Sequence, residues 1–597
     1  MSLRHATGQL SSKTIDMIQS PLTSERPLRV RWLGRVRYRD AHALQRALFR
    51  SSDDYLLLLE HPHVYTRGVR TKPDHLLVDV EKIGADLVDT DRGGDITYHG
   101  PGQLVGYPII SISMRPKIVP DYVHAIEQLV IDALTELGLK EVGRLDGYPG
   151  VWVAPTGSRP RKICAIGVRI SRGRTMHGFA LNVHPAMSMF DHIVPCGLKD
   201  RELTSLANEG IDVSMDSVVE VLIERARLHL GGRPEALRVI DREDATSSDA
   251  ASLPAVAETE LNKEGQAGHI AVPGKHGLNG QASLLPQPTP SSHRRLASAG
   301  VDTTTAVKIS ARKPEWLRVE AAMGDDYLAL RKTMRSLNLV TVCEEAGCPN
   351  IYECWSDGTA TFMINGERCT RSCGFCLVDT RHPLPLDLEE PRRVAEAVRE
   401  MGLSFAVITT VARDDLADGG AGAFAETIAE VRRVNPLTSI EVLISDCKGD
   451  DASLAKIFAA RPEILNHNLE TVLRLQRAAR PSASYARSLS VLARAKEAGL
   501  TTKSGIILGM GEEKREVISA LSDLAAVGVD IVTIGQYLRP TARHLPVVRY
   551  WAPEEFVEIG DEARAMGFSH VESSPLTRSS YHARQAASSS NPAVVSA

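Results

Sequence analysis

The sequence predicts two folded units of different class: an α+β unit over residues 28–235 and an α/β unit over residues 313–585. A composition break and a change of rhythm on either side of it carry that prediction. Residues 242–311 are rich in Ser, Ala, Gly and Pro, and no Phe, Tyr or Trp occurs between Phe190 and Trp316. Such a stretch cannot bury enough apolar surface to form a core, so residues 236–312 are expected to be a flexible, disordered linker. About 70 residues of coil would hold the ends on the order of 45 Å apart, leaving the two units tethered but free to reorient. A flexible leader (1–27) and a disordered tail (586–597) complete the expected organisation.

Before the break, strand-like apolar runs at 55–59, 103–112, 150–153, 165–170 and 179–183 mix with helical stretches at 122–137 and 217–230, the latter stopped by Gly231 and Gly232. The elements do not alternate strictly, which points to a mixed or antiparallel sheet with helices. After the break, six strand-like runs (FMI, FAVITTV, IEVLIS, ILNHNLE, SGIILG and IVTIGQY) are each separated by a helical pattern. One such pattern covers residues 513–527, where Val517, Leu521, Leu524 and Ala525 share a face and Gly528 ends the turn. Six β/α units imply parallel strands in a full or partial barrel, with functional groups at the strand C-termini. Polar loops at Arg413, Asp414 and Asp415, at Asn466 to Asn468 with Glu470, and at Gln536 fall there.

Composition excludes several classes. The 597 residues carry a net charge of −4 with 43% hydrophobic and 24% charged residues, which fits a soluble protein and predicts no nucleic-acid partner. No run approaches the roughly 18 apolar residues of a membrane span, and no signal-peptide core is present, so a cytoplasmic location without membrane attachment is expected. An Arg- and Ser-containing leader leaves an organellar transit peptide as the alternative to a floppy terminus.

Six of the nine cysteines fall between Cys343 and Cys376. In a reducing compartment such clusters read as metal ligands or redox centres rather than disulfides. They form two triplets, Cys343, Cys348 and Cys354 in CEEAGCPNIYEC, and Cys369, Cys373 and Cys376 in CTRSCGFC. Three thiolates can hold three corners of a cubane iron–sulfur cluster and leave the fourth iron open. Structural zinc would want four N or S ligands per ion, and neither triplet has a local fourth. Cys447 and Cys164 read as core or loop cysteines.

The C-x3-C-x2-C triplet after a strand resembles the radical S-adenosylmethionine (SAM) superfamily. With CEEAGCPNIYECW, GTATFMI and the terminal RSSYHA, the stretch from 316 to 583 resembles lipoyl synthase more specifically. The resemblance implies a radical SAM partial (β/α)6 barrel and two [4Fe-4S] clusters. Cys369, Cys373 and Cys376 would bind the cluster that chelates SAM; Cys343, Cys348 and Cys354 would hold an auxiliary cluster with the Ser580 hydroxylate as fourth ligand. It further implies hydrogen abstraction at C6 and C8 of a protein-bound octanoyl group, with sulfur taken from the auxiliary cluster. Side-chain acid–base chemistry cannot break such C–H bonds; cofactors carry that step.

In the first unit, RGGDITYHGPGQ (92–103) has a backbone able to approach a ligand closely, and Cys196 sits between Pro195 and Gly197 like an exposed loop thiol. Together with EHPHVYTRG, KICAIGV, MHGFALN and PCGL, these segments resemble lipoyl(octanoyl) transferase, whose fold is shared with biotin and lipoate ligases. The resemblance makes Cys196 the nucleophile and Lys162 the cation that lowers its pKa; only the thiolate attacks well. Arg92, Gly93, Gly94, Asp95, Ile96, Thr97, Tyr98 and His99, with Ala165, Ile166, Gly167, Gly178, Phe179 and Ala180, would line the acyl pocket. Exchange of one thioester for another needs no ATP, and the chain contains no GxxxxGK[ST] loop.

Jointly the resemblances imply a bifunctional acyltransferase and sulfurtransferase. Octanoyl-acyl carrier protein is the expected donor. The lipoyl domains of 2-oxoacid dehydrogenase complexes and the glycine cleavage H protein are the expected acceptors, and ferredoxin or flavodoxin the expected reductant.

Overall fold

The computed structural model describes residues 26–194, 202–231, 234–238, 290–318, 340–341, 359–581 and 583–585. In the first unit the chain runs β1 (Leu28–Arg35), α1 (Tyr38–Arg50), β2 (Asp54–Glu60), β3 (Val64–Arg67), β4 (Asp86–Asp89), β5 (Thr97–His99), β6 (Gln103–Ile109) and α2 (Ile118–Glu136). It continues with β7 (Val142–Leu145), β8 (Tyr148–Val153), β9 (Arg161–Ser171), β10 (Arg174–Asn182), β11 (Glu202–Leu203), α3 (Met215–His229) and β12 (Pro234–Arg238). The main sheet has the order β12-β1-β2-β6-β10-β9-β8-β7, with β11 beside β9, and a small second sheet has the order β4-β3-β5. β1 pairs in parallel with β2 and β12, while β2, β6, β10, β9, β8 and β7 pair antiparallel in turn. The expected mixed α+β unit is therefore present.

Its sheet is buried on both faces. Along β2, Leu56 and Leu58 point to a core shared with Tyr122, Ile126 and Leu129 of α2 and Val218, Val219 and Leu222 of α3. Tyr55, Leu57 and Leu59 point the other way, toward Ala41, Leu44 and Leu48 of α1. Strand alternation divides one apolar run between two cores.

The second unit contains α4 (Pro290–Ser298), β13 (Val340–Thr341), β14 (Thr359–Ile364), α5 (Glu390–Glu400), β15 (Phe405–Thr410), α6 (Ala421–Val434), β16 (Ser439–Leu443) and α7 (Asp451–Ala459). Then come β17 (Ile464–Asn466), α8 (Gln476–Ala479), α9 (Tyr485–Glu497), β18 (Thr501–Leu508), α10 (Lys514–Ala526), β19 (Ile531–Gln536), α11 (Pro553–Ala565) and β20 (His570–Ser573). The strands lie in sequential order, β14 to β20 all parallel and β13 antiparallel at the edge. Phe405 and Val407 of β15, Ile464 of β17 and Ile531 of β19 gather in one cluster. Alternate strands of a flat sheet stand nearly 10 Å apart, so this sheet is curled.

Three boundaries differ from the sequence expectation. The parallel run has seven strands instead of six, because the half-buried HVES of β20 offers no apolar run to read. The first unit continues to Arg238, since β12 gains its place only by pairing with β1. The expected linker also ends early. α4 and the residues after it belong to the second unit, with Leu296, Ala299 and Val301 buried in its core and the Val307 amide donating to the Val547 carbonyl at 2.8 Å. Residues 239–289 of that linker, the leader before Arg26 and the tail after Gln585 lie outside the described residues.

The expectation of freely reorienting units is overturned by the contact between them. α1 lies along α9, and the core on its face continues without a break into Leu489, Leu492 and Ala493 of α9 and Leu521 and Leu524 of α10. Arg31 of β1 crosses this contact: its Nε and Nη2 both donate to Asp523 at 2.9 Å, and its Nη2 donates to Ser519 Oγ at 2.6 Å. The side chains of the pair are only 2% and 3% exposed. Tyr55 and Tyr485 donate from the two units to the same carboxylate at 3.1 and 2.9 Å.

Arg31→Ala strands a buried carboxylate with only its hydroxyl donors, a loss of about 3 kcal/mol at the contact. Calorimetry should then resolve separate transitions for the two units; an unchanged trace would show that the contact does not depend on the pair.

Candidate active sites

The first site is a cavity of about 370 Å³ walled by β5, β6, β9, β10 and the loop before β5. That is within the range of small-molecule sites, roughly 300–1,000 Å³. Arg92, Gly93, Gly94, Asp95, Thr97, His99, Lys162, Ala165, Ile166, Gly167, Gly178, Phe179 and Ala180 line it. Ile96 and Tyr98 do not. Along β5 successive side chains alternate, so Thr97 and His99 face the cavity while Ile96 and Tyr98 pack with Tyr65 and Phe190 on the other side.

Backbone proximity shapes the wall. Gly94 takes φ +96°, and a Cβ on Gly167 would stand 2.9 Å from the Gly93 carbonyl oxygen. Only glycine allows these strands and the loop to close up so tightly.

A hydrogen-bond relay orients the polar groups. Arg92 Nη2 donates to the carbonyl and hydroxyl of Thr66 at 2.6 and 2.9 Å. Thr66 Oγ1 lies 3.4 Å from His99 Nε2, and His99 Nδ1 lies 2.7 Å from Gln103 Oε1. The Gln103 amide donates to Asn182 Oδ1, and Asn182 Nδ2 donates to the Thr204 carbonyl, both at 2.9 Å. Because Gln103 Oε1 can only accept, His99 carries its proton on Nδ1. Burial, with His61 and Arg92 nearby, holds His99 well below the usual imidazole range.

Lys162 is buried, with Nζ 4.9 Å from the centre of the Trp152 ring. Its neighbour β11 pairs Leu203 with Lys162, and the Thr204 amide donates to the Lys162 carbonyl at 2.9 Å. Cys196 lies outside the described residues, in the segment between Val194 and Glu202. Cys164, by contrast, is fully buried, and burial pushes its thiol up.

Tyr38 of α1, Tyr107 of β6 and His177 of β10 also line the cavity, unmarked by the sequence reading. Nothing local in the sequence marks α1 as a pocket wall. His177 adopts φ +58° and sets Nε2 2.7 Å from Asp91, close to His42. Arg169 pairs with that carboxylate and satisfies its charge.

The second site is a cavity of about 410 Å³ at the C-terminal ends of the parallel strands, where the β/α rhythm placed it. Cys369, Cys373 and Cys376 line it together, as does Ser580. Cys343, Cys348 and Cys354 lie outside the described residues.

Backbone contacts pin the cysteine loop. Cys369 Sγ accepts from the Arg371 and Ala412 amides at 3.4 and 3.3 Å, the Gly374 amide donates to the Ala479 carbonyl at 2.8 Å, and His544 Nε2 stands 2.9 Å from the Cys376 carbonyl. Three thiols converging on one polar-edged cavity suit a cluster held by thiolates. Burial pushes the Cys376 thiol up to about 12, with Cys373 and Cys369 adding to the rise.

Arg371, inside the loop, was not singled out by sequence. It grips Asp414 through Nε and Nη2 at 2.7 and 2.8 Å and reaches Asp446 at 2.6 Å. Arg413, instead, pairs with Asp415 and the Asn365 carbonyl. Asn466 bonds to Glu441, which forms a fully buried pair with Lys503 at 3.0 Å. Cys447 is buried, and its thiol is raised to about 11 by burial.

The lipoyl protein ligase A/B catalytic domain matches residues 37–227, the radical SAM superfamily residues 363–524, and the N-terminal domain of lipoyl synthase residues 295–348. A lipoyl synthase of Beutenbergia cavernae is 54% identical over 283 residues, 47% of this chain and 85% of the relative. One from Mycobacterium avium is 56% identical over 280 residues, 46% of this chain and 91% of the relative. A crystal structure of lipoate-protein ligase A bound with ATP is 22% identical, covers 35% of this chain and 89% of that one, and has a TM-score of 0.30.

The chain is thus an enzyme that joins a lipoate ligase/transferase-type catalytic domain to a radical SAM domain. Through that second domain it belongs to the lipoyl synthase family, whose chemistry uses [4Fe-4S] clusters and SAM. No described helix is long and apolar enough to cross a membrane.

His61, fully buried between the Val36 carbonyl and the Tyr107 hydroxyl at 2.7 Å each, is held at about 4 by burial against a usual 6.5. Its unfolded form therefore binds more protons between those values, and stability should fall as pH drops from 6.5 toward 4. His61→Gln should flatten that slope in urea midpoints measured against pH; an unchanged slope would assign it to other groups.

Proposed function

We propose that the chain completes protein lipoylation in two steps, first placing an octanoyl group on a lysine of a lipoyl-accepting domain and then inserting two sulfurs into it. The single observation that supports this most is the pairing, in one chain, of an acyl-sized cavity walled by Lys162 and of a cavity where Cys369, Cys373, Cys376 and Ser580 converge.

In the first step Cys196 attacks the thioester of octanoyl-acyl carrier protein. The carrier thiol leaves, the acyl group passes to Cys196 Sγ, and a lysine amine of the acceptor then takes it as an amide. Lys162 favours the thiolate by its charge. Arg92 to Asp95, Thr97 and His99, with the Ala165 to Gly167 stretch of β9 and the Gly178 to Ala180 stretch of β10, hold the chain of the acid. Adenylate activation would not need Cys196, so the cysteine separates transfer from ligation.

In the second step Cys369, Cys373 and Cys376 would hold one [4Fe-4S] cluster, and Cys343, Cys348, Cys354 and Ser580 a second. With SAM bound, the first supplies a carbon-centred radical able to take hydrogen from unactivated C–H bonds. The curled parallel sheet serves as the partial barrel that encloses this chemistry. Acceptors are lipoyl domains of 2-oxoacid dehydrogenase complexes and the glycine cleavage H protein, and ferredoxin or flavodoxin supplies electrons.

Mass spectrometry of an acceptor domain incubated with this protein, octanoyl-acyl carrier protein, SAM and a reductant should show octanoyl and then lipoyl mass increments. Cys196→Ala should abolish the first while sulfur insertion into a pre-octanoylated domain persists; retention of transfer would remove the thioester route. Anaerobic reconstitution should give about eight irons per chain, and four would mean that one cysteine triplet holds no cubane.

A further inference from the structure

A line of charges crosses the contact between the units and ends in the cysteine loop. It begins at Asp40 in α1 of the transferase unit, a carboxylate only 1% exposed. Asp40 accepts from Arg37 Nε at 2.8 Å in its own unit, and from Arg494 Nη2 at 2.9 Å and Ser490 Oγ at 3.2 Å across the contact. Arg487 Nε stands 3.6 Å from the same carboxylate. The other end of that guanidinium, Nη1, is 3.4 Å from Asp446 Oδ2. Asp446 is fully buried, and its second oxygen accepts from Arg371 Nη2 at 2.6 Å. Arg371 lies between Cys369 and Cys373 and directs its amide at Cys369 Sγ.

Arg487 is thus shared between one carboxylate of each unit, and Asp446 between two guanidiniums. In a low-dielectric setting such sharing is a balance: weakening one partner hands the guanidinium to the other. Without the Asp40 charge, Arg487 is drawn wholly to Asp446 Oδ2 and, by sharing more of that carboxylate's charge, weakens its hold on Arg371 at Oδ1. Arg371 still has Asp414, so the loop would shift its hold, not collapse.

We propose that Asp40 of the transferase unit is a positioning residue for the cysteine loop of the radical unit, acting through Arg487, Asp446 and Arg371. The proposal rests on reading Cys369, Cys373 and Cys376 as cluster ligands. One catalytic unit then tunes the other through their contact surface, which a flexible tether alone could not do.

The test uses the full chain, reconstituted anaerobically, with EPR-monitored redox titration of the SAM-responsive cluster and a SAM dissociation constant for each variant. Asp40→Asn should move the midpoint to a more positive value, since Arg487 released toward Asp446 brings its charge nearer the cysteine loop, and weaken SAM binding about 3- to 10-fold. Asp40→Glu should restore both. In an Arg487→Gln background the Asp40→Asn shifts should shrink by at least half, while octanoyl transfer stays within twofold throughout.

Equal shifts in both backgrounds would overturn the proposal, because Asp40 would then act by distance alone. Unchanged potential and SAM affinity in Asp40→Asn would overturn it as well. Should Asp40→Asn lose transfer through misfolding, Arg487→Gln alone decides: wild-type potential and SAM affinity there refute the link. A wild-type chain that shows no SAM-responsive cluster would instead refute the cysteine reading beneath it.

Discussion

The Arg31–Asp523 pair and the apolar seam around it set the relation of the two catalytic units, and the rest of the architecture follows from that. A buried ion pair adds little net attraction, because desolvating two charges offsets most of what their contact returns. What it supplies is a penalty on every other alignment. Any rotation of α1 along α9 would leave Arg31 or Asp523 buried and unmatched, and would break the hydroxyl bonds from Tyr55 and Tyr485. The apolar core of Leu44, Leu48, Leu492 and Leu521 contributes the attraction; the ion pair selects the register.

The two cavities solve different problems by different means. The transferase cavity lies against a sheet whose glycines let backbone segments approach each other, and its polar groups are locked by the relay from Arg92 through Thr66, His99 and Gln103 to Asn182. The radical cavity lies at strand ends, where the thiols of one loop and Ser580 of another line the same space. There the loop that carries the cysteines is anchored to its neighbours by main-chain bonds and by Arg371. Rigidity matters in both places because the reacting groups must be held within a fraction of an ångström.

Much of this was legible in the chain itself. The apolar run of β2, the helical face in α10 and the spacing of CTRSCGFC each record a local rule: what must be buried, where a turn ends, how many sulfurs one loop can present. Composition likewise separated the units. Less legible were β20 and β12, which carry no apolar run and exist through pairing, and α4, whose Pro- and Ser-rich start reads as linker. Ile96 and Tyr98 were misassigned because a motif does not show which of its alternate residues faces the ligand.

By itself, then, the sequence determined the two fold classes, their order and the grouping of the cysteines along the chain, because each depends on residues within a few positions of one another. Tertiary structure decided what meets what across hundreds of residues: Arg31 with Asp523, Asp40 with Arg494, Ser580 with Cys369 in one cavity. A local pattern states that a face must be covered or a charge matched. It does not state by which partner, since that choice is made only when packed surfaces compete for the same contact.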